Sequence, residues 1–296
     1  MSGAANRRKI GAIEVARVEE SLGPAFAPAQ FYADYDPALL ERHRDFMIPR
    51  CFDAQSGELI ASIHTWVLKT PHHTILIDTC AGNHKQRPKT PGFNMLDTPW
   101  LARLAAAGVT PRQVDIVMCT HLHVDHVGWN TRLDNGRWVP TFPNAKYIFS
   151  KIDHDYWSAN PRGPGGAINR GVYQDSVLPV VESKQAVLVG DAHEIETGIV
   201  IEKGAGHTPG HCLVKAHSGQ DRALFAGDAL HSPLQVFEPQ LSTLFCENKP
   251  QAVATRRSLL RHCAETGALL MPAHFPPPHC GTVTARGDKF AFAFAD

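Results

Sequence analysis

The chain has 296 residues, 43% of them hydrophobic, enough for one large domain or two modest ones with a sizeable buried core. Its 29 basic side chains cancel its 29 acidic ones. That balance argues against nucleic acid or an anionic membrane as the main partner, since either would draw on a basic excess. The start, MSGAANRRKIGAIEVARV, alternates apolar and polar residues where a secretory signal would have an apolar run, and no stretch approaches the ~20 apolar residues of a membrane span. Seven scattered cysteines (Cys51, Cys80, Cys119, Cys212, Cys246, Cys263 and Cys280), never spaced Cys-x-x-Cys, fit a reduced, cytoplasmic protein with buried thiols and not a cysteine-rich zinc module.

In chain order, residues 10–18 alternate as a half-buried strand, and 22–57 read as an irregular surface excursion with a short helix at PALLERHRDF. IASIHTWVLKT (60–70) and TILIDT (74–79) form a hairpin around Pro71-His72-His73. Turn formers dominate 82–95. DTPWLARLAAAG (97–108) has a capping Asp or Thr, an early Pro, helical apolar spacing and a terminal Gly, so it is a helix. VDIVMCT (114–120) and AKYIFS (145–150) are buried strands, and DHDYWSA begins a helix. AVLV (186–189), GIVIEK (198–203), HCLVKAH (211–217) and ALFAGD (223–228) are short strands; 250–266 is a helix, 268–274 a strand, and the tail after Gly281 a hairpin. With mixed strands and helices, no repeat and no linker, the economical reading is one α/β domain over 1–296, with two packed sheets and helices outside. The irregular stretches 22–57 and 82–95 would form a lid or a subunit contact.

THLHVDHVGW (120–129) raises the chemical question. His121 and His123, two apart in extended chain, can project to one side and share a metal. Asp125 and His126 follow where the chain should turn into a helix, adding a hard oxygen and another imidazole. Four ligands in six residues suggest two adjacent metal sites, which need more ligands from elsewhere. His207 in GAGHTPGH, Asp228 in LFAGD and His274 in LLMPAH each follow an apolar run, where a rigid sheet would aim side chains into a shared cleft. Each alone also reads as a capping or core residue. The remaining histidines, His72, His73 and His84 among them, show no pattern.

This order of ligands, HxHxDH followed by a distant His, an Asp and a final His, resembles that of the metallo-β-lactamase-fold hydrolases over residues ~60 to ~275. The resemblance implies an αββα four-layer sandwich, with His121, His123 and His207 on one metal, Asp125, His126 and His274 on a second, and Asp228 bridging. It implies two divalent ions, zinc favoured by the imidazoles and iron, manganese or cobalt as alternatives. Such ions ~3.5–4 Å apart share a hydroxide that attacks an electrophilic carbon or phosphorus. Asp125 would also move a proton. Asp78 in LIDTC matches a family aspartate that orients a ligand histidine, though a strand-end turn former is the plainer reading; His211 would act similarly.

Asp228 stands where true β-lactamases of this fold place Cys, and the chain shows little sign of a nucleic-acid-processing insertion. GDALHSPLQVFEP (227–239) and the ending PAHFPPPHCGTVTARGDKFAFAF resemble the branch containing methyl-parathion hydrolase and quorum-quenching lactonases. His231 stands where those lactonases place a substrate-contacting Tyr, and a histidine there would polarise a carbonyl or bind the leaving oxygen. The expected reaction is hydrolysis of a lactone or carboxylic ester, with phosphotriester cleavage as a side activity. A small uncharged ester-like substrate would sit against Phe93, Trp129, Trp157, Phe237 and Phe275. The alternatives are a mono-iron persulfide dioxygenase-like oxidoreductase and a glyoxalase II-like thioester hydrolase. Relatives of this branch are often dimers, so a homodimer is an expectation the residues leave open.

Overall fold

A computed structural model describes residues 7–160 and 169–295; the first six residues of the N-terminal reading lie outside them. The chain falls into two compact units. One holds the chain up to Glu20 together with Ile63–Asp191; the other holds Ser21–Ser62 together with the chain from Ala192 on. Among the described residues, no helix is long and apolar enough to cross a membrane.

One sheet, most of whose residues belong to the first unit, has strands in the order Arg8–Ile10, Ile13–Phe26, Glu58–Lys69, Thr74–Ile77, Ile116–Met118, Lys146–Ser150 and Ala186–Val189. The last four are parallel. Parallel strands lie buried on both faces, which is why TILI, IVM and YIF are continuous apolar runs. The expected strand at 10–18 is interrupted, because Gly11 takes a left-handed φ of 55° and turns the chain into a hairpin. The expected helix at 97–108 is shorter, Trp100–Ala106, and no side chain caps it. Thr98 instead exchanges hydrogen bonds with the Asn83 side chain. Trp100 is wholly buried and stacks on Trp129 at 5.3 Å, at the centre of a core with Leu104, Val117, Phe142 and Tyr147.

In the second unit a seven-stranded sheet runs in chain order from Ala192–Glu196 through Ile199–Lys203, Cys212–Ser218, Asp221–Gly227, Leu269–Pro272 and Gly281–Arg286 to Lys289–Phe294. Every neighbouring pair is antiparallel except Asp221–Gly227 with Leu269–Pro272. The helix Lys249–Thr266 is the crossover that this parallel pair requires. It starts at Asn248, whose side chain accepts from Gln251 N, and ends on the left-handed Gly267. The stretch 22–57 carries the short helix expected at PALLERHRDF, divided into Pro37–Arg42 and Arg44–Met47, with another turn of helix at Pro28–Phe31. It lies mostly at the surface but is anchored, burying Phe31, Tyr32, Met47 and Cys51 with Leu59, Leu234 and Leu241. All seven cysteines are buried.

The stretch 82–95 is irregular, as expected, yet pinned. Lys85 is fully buried, with Nζ 3.7 Å from the centre of the Trp138 ring and 2.9 Å from the Thr131 hydroxyl. Those partners lie on a hairpin, Thr131–Asp134 with Arg137–Pro140, which turns at Asn135-Gly136 and is not among the elements expected above. Asp175 lies 3.5 Å from the same ammonium and is held by both ends of the Arg87 guanidinium at 2.7 Å. Burial pulls the Lys85 amine down to about 7, against the opposing attraction of Asp175. In the unfolded chain the amine titrates in its ordinary range, so between the two values the unfolded state binds more protons. The Lys85 contribution to stability should therefore be lowest below about pH 7 and rise above it, by up to about 1.4 kcal/mol per pH unit. Urea unfolding of the wild type and of Lys85→Met at pH 6.5, 7.5 and 8 should show it as a wild-type-minus-variant difference that rises with pH; the buried thiols, which ionise first in the unfolded chain, lower both proteins alike at higher pH.

Candidate metal centre

In the first unit, ligand candidates gather at the carboxyl ends of neighbouring parallel strands, where Ile77 lies in register with Met118. Asp78 follows the first strand in a left-handed backbone conformation, φ 58°. Its carboxylate accepts from Thr120 N at 2.7 Å, from the Thr120 hydroxyl at 2.8 Å and lies 2.8 Å from His126 Nδ1. A non-glycine residue in that conformation costs about 1 kcal/mol or more, and these three bonds offset it. The His126 ring is thus held through Nδ1 and presents Nε2.

The motif itself is a turn followed by a short 3-10 helix, Gly128–Asn130, and not the α-helix expected after Asp125. The reason is a neighbouring loop. Thr79 N donates to His126 O, Gly128 N to Cys80 O and Trp129 N to Thr79 O, all at 2.7–2.8 Å. These bonds consume the groups an α-helix would have used. A side chain at Gly128 would put its Cβ 1.9 Å from the Ala81 carbonyl, so only glycine permits the approach. Beneath the loop Glu20, buried, accepts from Ala81 N at 2.8 Å, Gly82 N at 3.1 Å and Trp129 Nε1 at 2.7 Å. Burial raises its carboxyl above the ordinary range while those donors pull it back.

On this frame three imidazoles pack together: His121 to His123 at 4.6 Å between ring centres, and His121 to His126 at 4.0 Å. Leu122 between the first two is fixed at both backbone groups, its N–H by Asp153 at 3.1 Å and its C=O by Asn169 at 2.9 Å. Asp125 Oδ1 lies 3.7 Å from His126 Nε2.

The second unit supplies the other candidates from one end of its sheet. Lys203 pairs with Cys212, and Gly227 with Pro272, so the loops beginning at 204, 228 and 273 emerge together. Asp228 follows one of the two parallel strands and His274 the other, which brings His274 Nε2 to 2.8 Å from Asp228 Oδ1. His207 Nε2 lies 3.3 Å from the opposite oxygen, Oδ2. The loop bearing His207 packs against the helix Lys249–Thr266 so tightly that a Cβ on Gly206 would lie 2.2 Å from Ala252 N. Both rings are held from behind: His274 Nδ1 is 3.0 Å from Ser62 O, and His207 Nδ1 is 3.6 Å from the Cys246 thiol.

His211 accepts at Nε2 from Asp228 N and therefore carries its proton on Nδ1, which donates to Gly204 O, both at 3.0 Å. With both nitrogens engaged it fixes the backbone of Asp228 rather than a ligand ring. His231 Nε2 lies 3.1 Å from Asp228 Oδ2, and its backbone N–H donates to Gln235 Oε1 at 2.8 Å. Burial pushes its imidazole below the ordinary value, opposed by Asp228.

Of the aromatic residues expected against a substrate, Trp129 and Phe275 belong to cores, Phe93 packs against the first core, and Phe237 stacks on His43 at 4.6 Å. Trp157, itself part of the first core, meets a candidate ligand, His123, at 5.4 Å. Phe31 takes that place in the second unit, its ring edge-on to His231 at 5.4 Å. Glu20, Gln235, Cys246 and Phe31 carry no sequence signal, since each acts through a fold contact alone.

The sequence pattern of the Metallo-beta-lactamase superfamily matches residues 61–265. A comparison with curated proteins finds no match. Among solved structures, the chain is similar to a hydrolase, AbOPH, in the β-lactamase superfamily, with 22% identity, a TM-score of 0.80 and all of both chains covered. It is also similar to AidC, a dizinc quorum-quenching lactonase solved with a product, with 20% identity, a TM-score of 0.79, and 99% of this chain and 98% of that one covered. A probable metal-dependent hydrolase from Staphylococcus aureus has 19% identity and a TM-score of 0.75, over 98% of this chain and 99% of the other. These likenesses show the fold, a mixed α/β architecture, and the matched pattern spans more than half of the sequence. The chain belongs to the metallo-β-lactamase superfamily.

Proposed function

We propose that the protein is a dinuclear hydrolase that opens a lactone or cleaves a carboxylic ester. His121, His123 and His207 hold one divalent ion; Asp125, His126 and His274 hold the second; Asp228 is shared. The observation that carries this reading is Asp228, whose two oxygens face different imidazoles, Oδ2 towards His207 and Oδ1 towards His274. A carboxylate so placed has one oxygen for each of two ions. The donor set fits as well. His126, His207 and His274 are each engaged through Nδ1 and turn Nε2 forward, the arrangement that fixes tautomer and direction in metal-ligating histidines. Imidazole-rich ligation favours zinc.

Bound there, two such ions supply Lewis acidity to a carbonyl oxygen and bring the pKa of water down towards neutrality. The chain's own residues do the rest. Asp78 and His211 hold His126 and Asp228 in place. Asp125 takes up a proton or carries it to the leaving group. His231, directed by Gln235, polarises the carbonyl or receives the leaving oxygen. An uncharged substrate is supported by the aromatic group beside His231: Phe26 stacks on Phe31 at 4.7 Å, and Phe245 meets Phe31 at 5.9 Å. Phe26 and Phe245 are only partly buried. The product-bound lactonase among the similar structures agrees with a lactone.

Purified protein should contain two equivalents of metal, and a proton-release screen of lactones, aryl esters, thioesters and phosphotriesters should respond to lactones or esters. One iron with oxygen uptake on glutathione persulfide would instead identify an oxidoreductase. Asp228→Ala should lose most turnover and at least one metal equivalent, whereas His231→Ala should keep both metals and lose about 100- to 1,000-fold in kcat. In Asp78→Ala, competition with a chelator should reveal a metal affinity lower by about 10- to 100-fold, partly restored in Asp78→Asn.

A further inference from the structure

Lys85, Arg87 and Asp175 form a buried charged cluster that the proposed chemistry does not use. Lys85 is wholly buried and Arg87 is 2% exposed, so two cations removed from water face a single carboxylate. Asp175 is gripped at every acceptor. Its two carboxylate oxygens accept from Nη1 and Nη2 of Arg87 at 2.7 Å, and Oδ1 accepts also from the Ser176 hydroxyl at 2.6 Å. Its backbone carbonyl accepts from Lys85 Nζ at 3.3 Å and from the Thr131 hydroxyl. Apolar side chains of similar volume would often stabilise a fold as well as buried charges do. What the cluster adds is direction, because a planar guanidinium fork fits a carboxylate in one orientation.

Asp175 lies on a segment, 169–177, that is tied at both ends to the chain of the metal motif. At one end Asn169 Nδ2 donates to Leu122 O at 2.9 Å. At the other, the hydroxyl of Thr131, the residue after the 3-10 helix Gly128–Asn130, donates to Asp175 O. Between these anchors Val172 N donates to Asn169 O at 3.2 Å and Asp175 N to Gly171 O at 3.1 Å, which joins them in one hydrogen-bonded run. A wide π-type turn, Tyr173–Val177, follows and is closed by Leu178 N on Tyr173 O. Val172 and Val177 share the first core with Leu122, Val124 and Val127. The carbonyl that Asn169 holds has a particular place. It belongs to the planar peptide unit that leads into His123, so its direction governs that of the His123 backbone.

We propose that Asp175, gripped by Arg87 and Lys85, is a positioning residue for His123. It seats the segment 169–177 so that Asn169 meets the Leu122 carbonyl and the His123 ring is turned towards His121, 4.6 Å away between ring centres. The consequence for a bound metal rests on the metallohydrolase reading. Lys85 completes the grip from the other side: its Nζ lies 2.9 Å from the Thr131 hydroxyl and 3.7 Å from the centre of the Trp138 ring, which brings the hairpin into the same clamp. The irregular stretch 82–95 thus contributes two buried cations to the aim of a candidate ligand that neither of them pairs with.

Zinc affinity, measured by competition with a chelator on the folded protein, tests the clamp. Removing Asp175 would strand two buried cations and endanger the fold. The variants are therefore Arg87→Lys, which keeps the charge and loses the two-pronged grip, Asn169→Ala, which deletes the far contact, and the two combined. Each single change is expected to weaken zinc binding about tenfold. The double variant should be no weaker than Asn169→Ala alone, because Arg87 acts through Asn169. Cobalt-substituted protein should show the same change in visible absorption in both single variants, a signature that a loss of stability alone would not produce. Wild-type zinc affinity in Arg87→Lys or in Asn169→Ala overturns the proposal, and so does a double variant weakened about hundredfold, the product of independent effects. Those outcomes leave the metallohydrolase reading intact; a wild type that binds no zinc ends that reading and the proposal with it.

Discussion

An imidazole has one nitrogen to give a metal, and its usefulness depends on what holds the other. That constraint organises both units. His126 is fixed through Nδ1 by Asp78, and His274 by the Ser62 carbonyl. The partners differ in strength. A carboxylate raises the basicity of the ring it holds more than a carbonyl does, and a thiol at 3.6 Å behind His207 least of all. The candidate ligands are therefore unequally supported. His207 has the softest support, and the carboxylate it faces is Asp228.

Asp78 in turn must be held, and the means is unusual backbone. It sits in a left-handed conformation, as does Cys80 two residues on, and loop residues 79–80 bond to 126–129 instead of to water. Such an arrangement survives only where the surroundings over-determine it. Glu20 provides that from below, as a buried carboxylate that satisfies Ala81 N, Gly82 N and Trp129 Nε1 at once. The glycine after DHV is then explained: a Cβ at 128 would collide with the Ala81 carbonyl. What reads in the sequence as a metal motif is equally a folding motif.

Much of this was legible in the sequence, for identifiable reasons. Parallel strands buried on both faces show as apolar runs, so TILI, IVM and YIF could be placed closely, and ligand candidates just beyond such runs could be singled out. The hairpin at Thr131–Pro140 announces itself only at its turn, Asn135-Gly136, where both residues take positive φ; its half-exposed strands show no apolar alternation and are not legible. In the stretch 22–57 the short helix was legible and the buried anchors were not. Its aromatics are spaced irregularly along three short helices, so their joint burial with Leu234 and Leu241 depends on residues nearly two hundred positions away. The helix expected after Asp125 failed because tertiary hydrogen bonds took its backbone groups. Local pattern cannot register a competitor that distant.

The same distance separates recognising a ligand from recognising its support. Histidine and aspartate at strand ends announce themselves by residue type. Glu20, Asp153, Asn169 and Gln235 are ordinary polar residues until the fold brings them to a backbone N–H or C=O that a ligand loop cannot satisfy by itself. Leu122 shows why they matter. Between His121 and His123 it has no metal to bind, yet both its peptide groups are taken by side chains, and that fixes the direction of the histidines on either side. A chain that kept its ligands and lost these supports would retain the motif and lose the orientation of its rings. The constraint on this site is therefore spread over many more residues than could ever touch an ion.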